Sequence, residues 1–228
     1  MNGFYRSLIW LTISSGVFAG EGEQPSEHDI QALIDQLVSP NPKPIAYDED
    51  RNVGTQYHLP SGFDKEKQKQ VRRAYFKLKE IGPPAFPFLV ERWEDHRHCL
   101  TASNCLSGVC RNVTVGNACR SIMFDQLQPY GIWPTGYDDP RGKPQRPDYP
   151  GTYLESVENT RKCCEKTKGK TLLEIQLRIL DWVIESESKR PGDYQAEERA
   201  ELQNIRRELV EDNKPLAHGN YYCWDIEE

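Results

Sequence analysis

The chain has 228 residues, 28% of them charged, with a net charge of −6 and a mean hydropathy of −0.76. A chain so acidic is a poor match to nucleic acid, and one so weakly apolar is a poor match to a compact enzyme core. Sixteen Pro and sixteen Gly point instead to long loops around a thin core.

In chain order, residues 1–19 come first, with one charged side chain, Arg6, and an apolar stretch from Leu8 to Phe18. This layout predicts a secretory signal peptide cleaved after Ala19 or Gly20. The run is short for a membrane span, which needs roughly 20 apolar residues, and no later segment is apolar enough to cross a bilayer. The expectation is a secreted or periplasmic chain, working outside the cytoplasm, with its cysteines in an oxidising compartment.

Residues 20–62 read as an N-terminal helix and linker. Ser26 can cap a helix to Val38, with Ile30, Leu33, Ile34, Leu37 and Val38 at helical spacing. Pro40, Pro42 and Pro44 end it, and an extended loop follows to residue 62. Residues 63–228 read as one helical domain. Its first helix, Asp64 to Ile81, buries Val71, Ala74, Tyr75, Leu78 and Ile81. Its other face is basic: Lys65, Lys67, Lys69, Arg72, Arg73, Lys77 and Lys79. This face could meet an anionic polymer or a membrane surface, or the acidic residues of 193–228 within the same chain. Gly82-Pro83 ends the helix, and Pro84 starts another to Trp93, with Phe86, Leu89, Val90 and Trp93 inward.

Residues 94–114 hold three cysteines and show no clear period, and no segment has convincing strand alternation. Val115 to Leu127 predicts a helix. Residues 129–152 form an irregular arm with six prolines and four glycines. Tyr130, Trp133, Tyr137 and Tyr149 on this arm are candidate binding anchors for a protein or polysaccharide partner. Helices are then predicted over Tyr153–Lys166, Leu172–Glu187 (capping box Thr171 and Glu174) and Tyr194–Val210. The fold class is mostly α: an irregular helical domain of antiparallel hairpins with long Pro/Gly-rich loops.

The text VRRAYFKLKEIGPPAFPFLVERW, residues 71–93, resembles one HEAT-type helical hairpin. Together with the leader, TVGNACRSIMFDQL and KTLLEIQLRILDWVIESE, it resembles secreted helical proteins of planctomycete-type bacteria. That resemblance implies export and a helical fold, and it brings no active site. It also argues against a eukaryotic host, where the sequon Asn112-Val113-Thr114 would matter.

Seven cysteines leave at least one unpaired or bonded to another chain. Cys119 falls on the apolar stripe of its helix and suits a buried thiol. Cys99, Cys105, Cys110, Cys163, Cys164 and Cys223 are the disulfide candidates. Cys163 and Cys164 are adjacent and too close to bond each other, so one is expected to tie the tail through Cys223 and the other the loop. The densest ligand-type cluster is Asp95-His96-Arg97-His98-Cys99, whose spacing matches no standard zinc pattern. The acid pairs Glu94-Asp95 and Asp138-Asp139 read as solvated. No motif calls for a cofactor or a nucleophile. Two readings follow: an exported non-catalytic interaction or structural protein, or a small exported enzyme or metal protein using His96, His98 and nearby acids.

Overall fold

The computed structural model describes residues 25–47, 56–104, 110–127, 156–188, 195–216 and 222–223. The leader, Cys105 and the arm with Tyr130, Trp133, Tyr137, Asp138, Asp139 and Tyr149 lie outside them. Among the described residues there are seven α-helices, and no helix is long and apolar enough to cross a membrane.

Helix α1, Glu27–Asp35, starts with a capping box in which Ser26 and Asp29 satisfy each other's backbone N–H groups. Helix α2, Lys65–Ile81, is capped by Asp64, whose side chain accepts from the Lys67 N–H at 3.0 Å. It ends at Gly82, whose φ of +69° is a backbone state that glycine alone adopts without strain. Pro83–Ala85 then makes a single 3-10 turn, followed by a short α3, Phe86–Val90. The second arm of the expected hairpin is therefore much shorter than the predicted Pro84–Trp93. It packs mainly on α4 (Val115–Leu127) and α5 (Val157–Lys166). Helix α6, Leu172–Ser188, has the Thr171–Glu174 capping box and packs on α4 and on α7, Gln195–Asp212.

Two small sheets correct the reading of 39–62 and 94–114 as loops. Strands β1 (Ile45–Tyr47) and β2 (Gln56–His58) pair antiparallel. Strands β3 (His98–Asn104) and β4 (Cys110–Thr114) form a hairpin with an irregularity between His98 and Leu100, and β5 (Tyr222–Cys223) adds to the other edge of β3. The alternation rule fails here because His98, Cys99, Leu100 and Thr101 are all buried, so both faces of the strand are covered.

One continuous core joins α1 (Ile30, Ile34), α2 (Val71, Tyr75, Leu78), α3 (Phe86, Leu89, Val90), α4 (Ile122, Met123) and α6 (Ile175, Leu180). A buried polar network clamps the strap 39–44 between α2 and the sheet. Gln68 donates to the Cys99 carbonyl at 2.9 Å and accepts from Ser39 Oγ at 2.8 Å and Asn41 Nδ2 at 3.1 Å. Asn41 also holds the Asp64 backbone on both its N–H and its carbonyl. At the other end, Gln176 donates to the carbonyls of Gln126 and Leu216 and accepts the Leu216 N–H, which fixes the segment after α7.

The expected cysteine staple between the adjacent pair and the loop or tail is absent. Cys99, Cys119, Cys163 and Cys164 are all in the thiol form. Each is placed by packing rather than by a cross-link: Cys99, Cys119 and Cys164 are buried and Cys163 packs at the core edge. In the sheet, Ser103 pairs with Cys110 on one side and Cys223 on the other. Those two backbones are thus two strand spacings apart, about 9.5 Å, beyond disulfide reach.

Candidate functional site

The ligand-type cluster does not assemble. His96 is exposed and His98 is buried, so the two rings do not share a surface. Asp95 is taken by Arg97, whose guanidinium lies 2.6 Å away and holds the carboxyl below its ordinary range. Glu94 is exposed. Among the described residues no group of three His, Cys, Asp or Glu side chains could hold a metal ion. Asn112 of the sequon is engaged by Thr101 Oγ1 at 2.7 Å and by the Pro44 carbonyl at 3.2 Å.

The buried thiols are equally unsuited to nucleophilic work. Burial, with Asp95 adding to it, pushes the Cys119 thiol up to about 12. Burial, with Cys163 adding to it, does the same to Cys164. A thiol so raised carries almost no thiolate at neutral pH. Both are expected to resist an alkylating reagent in the folded chain at neutral pH and to react within minutes in denaturant. Rapid native labelling of either would contradict their placement.

Among the described residues, two concave regions stand out. One is a cavity of about 670 Å³ between the start of α1, the 82–84 turn, α3, and the segment joining α5 to α6. Its floor is apolar (Ile30, Ile81, Phe86, Ile175) and its rim carries Glu27, Glu165, Lys168 and Lys170, so its charge is balanced.

The other is the outer face of α2. Lys69, Arg72, Arg73, Phe76, Lys77 and Glu80 line a shallow groove of about 350 Å³. These positions follow the i, i+3, i+4, i+7 rule, which places them on one stripe about 16 Å long at 1.5 Å per residue. The stripe points outward because Gln68, Val71, Ala74, Tyr75 and Leu78 turn the opposite face into the core, against α1, α4 and β3. Arg72 lies over the Phe76 ring at 5.8 Å, and Tyr75 meets that ring edge-on at 5.5 Å. Lys69 pairs with Glu66 at 2.8 Å and Lys77 with Glu80 at 3.1 Å, all on exposed side chains. Such pairs contribute about 0–1 kcal/mol and exchange readily for an external anion. Arg73 makes no ion pair among the described residues.

Helix α7 packs on α6, and its Arg206 pairs with Asp181 there. Lys79 is drawn inward, to the buried Asp125 of α4 at 2.9 Å. The basic residues were legible in the sequence. That they lie opposite the apolar stripe was legible too; that Lys79 turns to Asp125 was not, since that depends on the packing partner of α2.

Comparison with protein-family models, with curated proteins and with solved structures finds no match for this chain.

Proposed function

We propose that this chain is an exported, non-catalytic interaction protein that binds an acidic polysaccharide through the outer face of α2. The observation that carries the reading is the outward stripe of Lys69, Arg72, Arg73 and Lys77 around Phe76. Lys69, Arg73 and Lys77 recur every ~6 Å along the axis, with Arg72 beside Arg73, which suits a linear polyanion. A protein partner of standard size would want a broad apolar centre of several hundred square ångströms, and the stripe offers a single half-buried phenylalanine. The chain is acidic overall, so this local positive field also orients an anionic partner toward α2 and away from the rest of the surface. Export is the reading of the leader at 1–19.

The test is binding of the full chain to sulfated dextran, neutral dextran and polyglutamate at several salt concentrations. A cation near an anionic surface contributes about 1 kcal/mol. Neutralising two of them, Arg73→Gln with Lys77→Gln, is therefore expected to weaken sulfated-dextran binding roughly thirtyfold. Tight binding to polyglutamate alone would point to an acidic protein instead. Equal affinity for neutral dextran, or no loss in the double variant, would overturn the assignment.

A further inference from the structure

We infer that His98 is an acid-sensitive latch: its ring is buried beside the 39–44 strap without a hydrogen-bond partner among the described residues, and protonating it releases the strap and the N-terminal end of α2 from the sheet. The inference does not depend on what α2 binds.

The geometry has three parts. His98 is 8% exposed, and among the described residues neither ring nitrogen has a hydrogen-bond partner. Its backbone carbonyl, meanwhile, accepts the Ser39 N–H at 2.8 Å, which fastens the start of the strap to β3. The strap is fastened next to α2 by Ser39, Asn41 and Gln68, and to β4 by the Asn112–Pro44 bond. The latch residue thus sits where strap, sheet and helix meet.

A neutral imidazole tolerates this site far better than an imidazolium, which brings a charge and a second donor into a buried place where only the Val113 backbone stands near as an acceptor. The groups around it do not help the charge. Lys43, on the strap, repels it. Just before β3, Arg97 is committed to Asp95, and at the N-cap of α2 the Asp64 side chain is committed to Lys67. From β4 the Val113 backbone favours the charged ring but satisfies neither nitrogen. Burial first, then Lys43, push the ring from an ordinary 6.5 down to about 4.

The sign follows. An opened or unfolded segment binds a proton on His98 at higher pH than the closed one does. The closed state is therefore fully favoured above 6.5, and the advantage drains away as pH falls from 6.5 toward 4. Carboxylates held low by their partners, such as Asp29, Asp64 and Asp95, lose their contribution only below the ordinary aspartate value of 3.8. The upper window accordingly belongs to His98 rather than to them.

The experiment is hydrogen exchange of the full chain between pH 7 and pH 4.5, corrected for intrinsic rates. The opening equilibrium of 37–44 and 64–68 is expected to rise by about two orders of magnitude, while the α4 amides change little. The response should vanish in His98→Phe and persist in His96→Gln. An unchanged strap in the wild type, or the same response in His98→Phe, would overturn the latch. If His98→Phe does not fold, the wild-type imidazole titration decides. A His98 resonance that titrates near 6.5 with the strap still closed contradicts the inference, and a depressed titration coupled to strap opening supports it.

Discussion

Gly116→Ala is expected to destabilise the fold by about 3 kcal/mol or more, at the upper end for an overpacked site. The reason is a backbone-to-backbone approach. A Cβ on Gly116 would lie 2.2 Å from the Trp93 carbonyl oxygen and 2.7 Å from its carbon. Neither atom belongs to a flexible side chain that can swing away. The approach itself is made by hydrogen bonds: Val115 N–H donates to the Arg97 carbonyl and Gly116 N–H to the Asp95 carbonyl, both at 2.9 Å. Thr114 Oγ1 takes the Asn117 N–H at 3.1 Å. The first turn of α4 is thus capped by the chain that leaves α3, and a methyl group must prise the two apart. At this chain length each kcal/mol shifts the melting temperature by about 2–4 °C, so a fall of about 6–12 °C is expected. Gly169→Ala is the control. Its φ of +76° brings strain, but the space around it is open, so the cost should stay near 1 kcal/mol. Equal melting temperatures for the two variants would contradict the packing of α4 on residues 92–97.

The second large effect is expected at Gln68. Gln68→Leu keeps most of the volume of a side chain only 2% exposed, so cavity formation is minor. It leaves the Cys99 carbonyl without its donor and removes the acceptor used by both Ser39 and Asn41. Stranding buried polar groups costs about 1–3 kcal/mol each, and the three share one network, so about 3 kcal/mol is expected in total. The shared network also predicts non-additivity. Asn41→Ala made on top of Gln68→Leu should cost less than it does alone, by about 1 kcal/mol in a double-mutant cycle measured by denaturant unfolding. Strict additivity would mean that strap, helix and strand are not held by one set of bonds.

The helices were legible because their signals are local. Ser26 and Asp29, Thr171 and Glu174, and the stripe from Val115 to Leu127 each state an element within one or two turns. The strands were not, because β3 is buried on both faces and owes its form to β4, β5 and the strap rather than to a period of its own. The short α3 has the same origin: the residues after Val90 turn to cap α4 through their carbonyls instead of continuing the helix. The cysteines misled for a physical reason too. An adjacent pair on a helix reads as two outward hooks, yet Cys164 faces the core and packs as a small hydrophobe. At the site, the basic residues of α2 were visible from the start. Their place opposite the apolar stripe was legible as well, and the packing of α2 on α1, α4 and β3 keeps that face outward.

The most direct test of the central claim is to locate a bound polyanion on the intact chain by lysine acetylation, with and without sulfated dextran. The α2 account predicts protection of Lys69 and Lys77, with Lys168 and Lys170 on the rim of the larger cavity modified at unchanged rates. Protection of Lys168 and Lys170 instead, with Lys69 and Lys77 still reactive, would contradict it.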